Sequence, residues 1–265
     1  ADDVSARLAN LAGKQVLLTV GCRADRGAAR DIQIETRSDE RELRYRDWCR
    51  RNREYVAQKT GGRIGYFHVP DMGGKGLAAF IRGFYPQINT DGLIVDARYN
   101  GGGFVSQMII ARLARRLVGY DRPRRGQMLT YPDRVHEGYK VVLVNEHAGS
   151  DGDMFPAAFQ TLGLGPVIGT RTWGGVNGIR GDKFFIDGGL STQPEYAFWD
   201  LRHGWGIENH GVEPDIEVPI LPADWVAGRD PQLDRGVAEI ERLLHEKPID
   251  RPQPPPIPDK SRARM

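Results

Sequence analysis

The chain has 265 residues, 40% of them apolar and 27% charged, which is typical of an ordinary soluble globular protein. The formal net charge of +2 gives no case for nucleic acid as a partner. No apolar run approaches about 18 residues, so no membrane span is predicted. The two cysteines, Cys22 and Cys49, lack metal-ligand spacing and suit a reducing compartment. The N-terminus lacks the basic and then apolar pattern of a secretory signal, so a cytoplasmic location is expected.

The first predicted elements are two short strands, VLLTV at 16–20 and DIQIET at 31–36, around a polar turn at 23–30. Two strands in roughly 40 residues cannot bury a core of their own, so we expect the chain to begin inside a domain. A helix is predicted over 43–58, and Gly61-Gly62 ends it.

From residue 63 onward, strand patterns and helix patterns alternate. This alternation predicts an α/β domain with a largely parallel sheet, whose chemistry lies at the carboxyl ends of the strands. The predicted elements are strand 64–69, helix 76–85, strand 92–96, helix 106–117, strand 141–145, helix 153–162 and a strand that opens at 167.

Beyond residue 184 the pattern becomes irregular and β-like. Asp230-Pro231 then begins an amphipathic helix, because proline is favoured at the first helical position. Its predicted apolar face comprises Leu233, Val237, Ile240 and Leu244. Residues 251–265 are rich in proline and are expected to be disordered or extended.

The first candidate for chemistry is Ser150. The strand at 141–145 leads through EHAG to this serine, and the helix at 153–162 follows. A serine on a tight turn between strand and helix exposes its hydroxyl beside free backbone N–H groups, which suits nucleophilic attack and stabilisation of an oxyanion. The helix dipole adds positive potential there. The alternative is that Ser150 only caps the helix.

A second loop, RYNGGG at 98–103, follows the predicted strand 92–96. Consecutive glycines allow backbone N–H groups to approach a ligand closely, as an oxyanion site or a phosphate site requires. The run lacks both the lysine-serine pair of a P-loop and the spaced glycines of a dinucleotide fingerprint. We therefore favour an oxyanion site over a nucleotide site.

These two segments carry a family resemblance. VDARYNGGG at 95–103, followed about 50 residues later by VNEHAGSDGD at 144–153, resembles the peptidase family that includes the C-terminal processing proteases and tricorn protease. The resemblance extends from about residue 43 to 244. The segments closest to the tricorn branch are LRYRDW at Leu43, GRIGYFHVPDM at Gly62, QPEYAFWD at Gln193, GWGIENHGVEPDIEV at Gly204 and DPQLD at Asp230.

The resemblance implies a fold and a domain organisation. Residues 62–248 would form a crotonase-like α/β catalytic domain, and residues 1–42 would be part of a PDZ-like domain. A connecting helix at 43–61 would join them, and residues 249–265 would form a proline-rich tail.

The resemblance also implies a serine endopeptidase with assigned residues. Ser150 matches the nucleophile, and the backbone N–H groups of Gly103 and Asp151 match the oxyanion hole. Glu208 matches the glutamate of the tricorn catalytic tetrad, which supports the catalytic base through a second serine. Asp121 matches the acidic residue on the floor of the specificity pocket, where a carboxylate favours Lys or Arg before the scissile bond. An ordinary surface carboxylate at Asp121 remains the alternative.

The catalytic base has no motif position in this chain. The processing branch uses a lysine at the position where Gly175 stands, and the tricorn branch uses a histidine upstream of its PDZ-like domain. We therefore expect the histidine to lie upstream of this chain. Among the six histidines of the chain, His203 and His210, which flank Glu208, are the nearest substitutes.

Two functions are carried forward. The first is a tricorn-type serine peptidase that acts on peptides, associates into homo-oligomers and needs no metal or organic cofactor. The second is a catalytically incomplete peptide-binding or assembly module of the same fold. The acidic residues and histidine around Ser150 are scattered by the turn, so a metal site is not predicted.

Overall fold

A computed structural model describes residues 3–22, 27, 29–179, 181–252 and 254–257. The polar turn predicted at 23–30 lies largely outside the described residues, as does most of the predicted tail. Where it is described, the tail has no regular secondary structure. The chain forms two compact units, residues 1–51 and residues 52–265. The division falls within the helix predicted to connect two domains.

The first unit contains a short helix, α1 (Val4–Arg7), and an antiparallel hairpin of β1 (Gln15–Val20) and β2 (Arg30–Glu35). Exposure alternates along both strands, as the two-residue period of a strand requires, but neither strand has a fully buried residue. Helix α2 (Arg41–Thr60) begins in this unit and ends in the next. The hairpin therefore has no core of its own, as the sequence predicted.

The second unit is built on a five-stranded sheet in the order β11-β8-β7-β4-β3, with every neighbouring pair parallel. The α/β architecture with a parallel sheet is therefore confirmed. In chain order its elements are β3 (Ile64–His68), α3 (Gly74–Phe84), β4 (Gly92–Asp96), α4 (Ser106–Leu113), β5 (Gly119–Asp121), β6 (Leu129–Tyr131), β7 (Tyr139–Val144), α5 (Asp151–Thr161), β8 (Val167–Gly169), β9 (Gly178–Ile179), β10 (Pro194–Tyr196), β11 (Ile216–Glu217), α6 (Pro222–Ala227) and α7 (Pro231–Glu246).

The two faces of this sheet bury two separate hydrophobic clusters. Residues of β4 alternate between them, because successive side chains of a strand point to opposite faces. Leu93 and Val95 belong to the cluster that α3, α4 and α5 cover, whereas Ile94 belongs to the cluster that α7 covers. Each large apolar side chain that becomes fully buried contributes roughly 1.5–3 kcal/mol to folding. Helices on both faces thus fix the position of the strand ends.

Helix α7 covers one face through its apolar stripe. Asp230 caps the helix by accepting a hydrogen bond from the backbone N–H of Leu233 at 3.0 Å, and Pro231 occupies the first turn. The predicted apolar face is buried as expected and comprises Leu233, Val237, Ile240 and Leu244.

The structure differs from the predicted elements after α4. The helix ends at Leu113, not near residue 117, because the chain turns into the antiparallel hairpin β5–β6 and the N–H of Val118 donates to the carbonyl of Tyr131 at 2.8 Å. Each hairpin strand has three residues, too few for an alternating pattern to be recognised. Helix α6 was not predicted either, because none of its six residues is buried. No described helix is long and apolar enough to cross a membrane.

A buried ion cluster joins the carboxyl end of β4 to the start of α7. Arg98, only 2% exposed, donates from Nε and Nη2 to the two carboxylate oxygens of Asp96 at 2.9 and 2.7 Å. Its Nη1 donates to the carboxylate of Asp230 at 2.9 Å, and its Nη2 lies 2.9 Å from the other oxygen of that carboxylate. Burial alone would raise the pKa of Asp96, but the guanidinium keeps that pKa below its usual value. The cluster therefore stays fully charged inside the protein.

Removal of this cation should destabilise the fold. Arg98→Met leaves the carboxylates of Asp96 and Asp230 without their partner, so we expect the free energy of unfolding to fall by about 3–5 kcal/mol. Urea denaturation followed by circular dichroism measures the loss. The control is Arg229→Met, which removes a guanidinium that is 60% exposed and paired with Asp224. Equal losses in the two variants would contradict a structural role for the cluster.

Candidate active site

Ser150 stands on the turn between β7 and α5 in a strained conformation. Its φ of 59° and ψ of −123° lie in a region that residues other than glycine rarely adopt. Its side chain does not cap α5, and its hydroxyl forms no hydrogen bond within the described part of the chain. The side chain is half-buried. Ser150 thus has the position predicted for it, and helix capping does not explain the hydroxyl.

The glycine loop, residues 98–103, packs directly against this turn. Gly102 has a φ of +85°, and a Cβ on it would lie 2.6 Å from the Cβ of Ser150 and 3.1 Å from the backbone nitrogen of Asp151. Gly103 has a φ of +146°, and a Cβ there would lie 2.1 Å from the carbonyl oxygen of Met72. Both positions therefore exclude any side chain, which explains the consecutive glycines.

Asn100 fixes the glycine loop to its surroundings. Its buried side-chain amide donates to the carbonyl of Val69 at 2.8 Å, while its side-chain oxygen accepts from the N–H of Gly102 at 3.0 Å. Its main-chain carbonyl accepts from the N–H of Gly149 at 3.0 Å. One residue thus connects the end of β3, the glycine loop and the turn that carries Ser150.

The backbone N–H groups of Gly103 and Asp151 are among those at this point that have no acceptor within the described residues. The neighbours of Gly103 are bonded: the N–H of Met72 donates to the carbonyl of Gly102 at 2.8 Å, and the N–H of Phe104 donates to the carbonyl of Met72 at 2.7 Å. Because a backbone donor is rarely left unpaired in a folded protein, these two groups are available to a ligand.

The side chain of Asp151 is turned away from this ligand space. Its buried carboxylate accepts hydrogen bonds from the hydroxyl of Ser106 and, at 3.1 Å, from the N–H of Ser106. Burial raises the pKa of Asp151, while the bonds from Ser106 oppose that rise. Asp151 thus joins α5 to the first residue of α4 and contributes only its backbone N–H to the space beside Ser150.

The loop at 172–177 is held by two carboxylates. Asp153, in the first turn of α5, accepts from the N–H groups of Gly174 and Gly175 at 2.9 and 3.2 Å. Glu208 accepts on Oε2 from the N–H groups of Val176 and Asn177 at 2.7 and 2.8 Å. Glu208 is thereby anchored to the same loop as Asp153. Asp153 itself lies three positions after Ser150 in the sequence.

Gly175 lies against the indole ring of Trp173. A Cβ on Gly175 would lie 2.3 Å from Cζ3 of Trp173, so any side chain at this position would require the ring to shift. The ring also packs against Gly149, the residue before Ser150, and the N–H of Trp173 donates to the carbonyl of Ala148 at 2.8 Å.

No described contact joins a histidine to Ser150. The two substitutes nearest to Glu208 are paired elsewhere: His203 lies 3.1 Å from the carboxylate of Asp200, and His210 lies 3.1 Å from that of Glu213. Burial lowers the pKa of His136 to about 3. The remaining positions are a buried His68 on β3, an exposed His147 stacked on Tyr99, and an exposed His245 on α7.

Asp121 is the last residue of β5, where its backbone pairs with Leu129. The residue is exposed, and its carboxylate forms no hydrogen bond or ion pair with the described residues. No described contact links it to Ser150. The described residues also contain no group of three or more His, Cys, Asp or Glu that could hold a metal ion.

Comparison with known proteins identifies the family. The pattern of Peptidase family S41 matches residues 63–218, which is more than half of the chain. The chain belongs to peptidase family S41. The matched region contains Ser150, the glycine loop, Asp121 and Glu208.

Within family S41 the chain is similar to tricorn proteases. It is 48% identical over 229 residues to tricorn protease of Thermoplasma acidophilum, covering 86% of this chain and 21% of that protein. It is 48% identical over 245 residues to tricorn protease homolog 1 of Streptomyces coelicolor, covering 92% and 23%. The crystal structure of tricorn protease superposes with a TM-score of 0.82 at 46% identity, covering 91% of this chain and 23% of that one. The chain spans about a fifth of the length of these relatives, and the predicted resemblance is confirmed.

Sequence reasoning missed three residues that organise the site: Asn100, Asp153 and Trp173. Their contacts join segments far apart in the chain, so no local pattern carries them. The one available signal was that Asn100 stands directly before the glycines and after a buried strand, where an amide side chain can bond the loop.

The glycine loop allows a matched pair of substitutions. Gly102→Ala introduces a Cβ at a φ of +85° and against Ser150, so the free energy of unfolding should fall by about 1–3 kcal/mol. Gly101→Ala is the control, because a Cβ at Gly101 meets no atom within 4 Å. Thermal unfolding of both variants checks the difference, and an equal change in the two would contradict the described packing of the loop.

Proposed function

We propose that this chain is the nucleophile-bearing part of a tricorn-type serine peptidase, with Ser150 as the attacking residue. The observation that carries the proposal is the contact between Gly102 and Ser150, which brings the glycine loop, with the unpaired N–H group of Gly103, next to Ser150 and the unpaired N–H group of Asp151. Membership of family S41 and the similarity to tricorn proteases support it.

The proposed chemistry is attack of the Ser150 hydroxyl on a peptide carbonyl. The oxygen of that carbonyl gains negative charge as the tetrahedral intermediate forms, and the N–H groups of Gly103 and Asp151 would donate to it. The amino-terminal end of α5 adds positive potential at the same point. These donors are fixed before substrate arrives, because Asn100 holds the loop and Ser106 holds Asp151.

The general base is proposed to come from outside these 265 residues. The six histidines make no described contact with Ser150, and glycine stands at 175, the position that the resemblance assigns to a lysine base. In this account Glu208 supports that external base, as in the tricorn tetrad. Its Oε2 is fixed by two backbone N–H groups, so its carboxylate is oriented without the base. The placement of the histidines also favours the second function, a peptide-binding or assembly module without activity of its own.

Finer features of the fold and the partners are also proposed. The parallel sheet with helices on both faces is compatible with a crotonase-like domain, and the hairpin β1–β2 with part of a PDZ-like domain.

Peptides are the proposed substrates, since the similar proteins are named proteases. Exposed apolar side chains at Phe184 and Ile186 support association into homo-oligomers. The two free cysteines support a cytoplasmic location.

Ser150→Ala tests the proposed function in the protein expressed from its whole gene. Hydrolysis of a fluorogenic peptide should fall by about a thousandfold or more, because the attacking oxygen is lost. A serine-directed phosphonate probe should label the unchanged protein at Ser150, as peptide mass spectrometry would show. Ser191→Ala, at a serine outside the turn, should keep full activity. Labelling at another serine would refute the assignment.

Asp121→Asn tests the proposed preference for basic residues. The carboxylate of Asp121 would pair with the cation of an Arg or Lys before the scissile bond, so kcat/KM for such peptides should fall by about tenfold or more. Peptides with Leu or Phe at that position should change by less than about twofold. An equal loss on both classes would show that Asp121 has a structural role only.

A further inference from the structure

The indole of Trp173 is the largest side chain packed against the turn that carries Ser150. The ring lies against Gly149 and Gly175, where added Cβ atoms would stand 2.7 and 2.3 Å from ring carbons. The residue is nevertheless 67% exposed. A large apolar ring that packs against the residue before Ser150 therefore also has free surface facing solvent.

We propose that Trp173 binds an apolar side chain of the peptide substrate, at a residue that flanks the scissile bond. This inference rests on the proposed function, which it deepens by assigning a specificity-determining residue besides Asp121. The exposed surface of the ring offers an aromatic contact to aliphatic, proline or aromatic side chains, which gain both apolar burial and ring contacts there.

The backbone that carries the ring is held in place before any substrate binds. The N–H of Trp173 donates to the carbonyl of Ala148 at 2.8 Å, which ties the loop to the nucleophile turn. The two residues that follow Trp173 in the chain are also held, because the N–H groups of Gly174 and Gly175 donate to the carboxylate of Asp153. A peptide would therefore meet a surface whose backbone is already ordered, which reduces the entropy lost on binding.

The two glycines support this role for the ring. Glycine at 149 and at 175 allows the ring to lie close to the backbone, whereas a side chain at either position would require the ring to shift. Because Gly149 directly precedes Ser150, a peptide residue in contact with the ring would lie near the bond that Ser150 attacks.

The test measures binding and does not depend on catalysis. In a Ser150→Ala background, dissociation constants are measured by fluorescence anisotropy for two labelled peptides that differ only in Phe or Gly beside the scissile position. Trp173→Ala should weaken binding of the Phe peptide by about tenfold and that of the Gly peptide by less than about twofold. Trp173→Phe should restore most of the difference between the two peptides.

The matched control is Trp225→Ala, which removes an indole of similar exposure, 64%, on the short helix α6. It should change neither dissociation constant. An equal weakening of both peptides by Trp173→Ala, no weakening of either, or the same selective loss in Trp225→Ala would overturn the proposal. Peptide hydrolysis by the unchanged protein tests the proposed peptidase function separately. Failure of the Trp173 proposal can therefore be told apart from failure of the proposed function.

Discussion

Arg98 places a full positive charge at the carboxyl end of β4, where almost no solvent reaches it. Removing such a charge from water is costly, and the chain offsets the cost with three side-chain hydrogen bonds and a further ion-pair contact to the carboxylates of Asp96 and Asp230. Asp96 belongs to the sheet and Asp230 caps α7, so the cluster positions the covering helix relative to the strand end. Arg98 is also the first residue of the glycine loop, so the loop starts from a fixed point.

The site is assembled from that fixed strand end. Asn100 fixes the next part of the chain, because it forms hydrogen bonds with the end of β3, with the glycine loop and with Gly149. Asp151 and Asp153 then use their carboxylates to bind neighbouring segments, and burial raises the pKa of both. Their role here is to hold neighbouring segments, whereas the hydroxyl of Ser150 forms no hydrogen bond within the described residues.

The sheet and its two covering layers could be predicted because buried parallel strands appear in the sequence as continuous apolar runs. The runs GLIVD and VVLVN mark β4 and most of β7, and the loops that follow them carry the glycines and Ser150. Family motifs supplied the expected roles of Gly103, Asp151 and Glu208, which remain proposals.

Other features were beyond the reach of sequence reasoning for physical reasons. The hairpin that carries Asp121 has strands of three residues, whose pairing depends on contacts with each other and not on periodicity. The position of Trp173 over Gly175 is a contact between side chain and backbone that no spacing rule encodes. The strain at Ser150, a serine with positive φ, is imposed by the surrounding loops.

The central claim is that this chain holds the nucleophile and the oxyanion donors, while the general base comes from outside it. The most direct measurement is the turnover of an Arg-containing fluorogenic peptide by the 265-residue chain beside the protein expressed from its whole gene, at equal concentration. The account predicts that the chain alone is slower by about a thousandfold or more, because an unassisted serine hydroxyl is a poor nucleophile at neutral pH. Comparable rates would contradict the account and identify the base as a residue of this chain, with His203 or His210 as the first candidates.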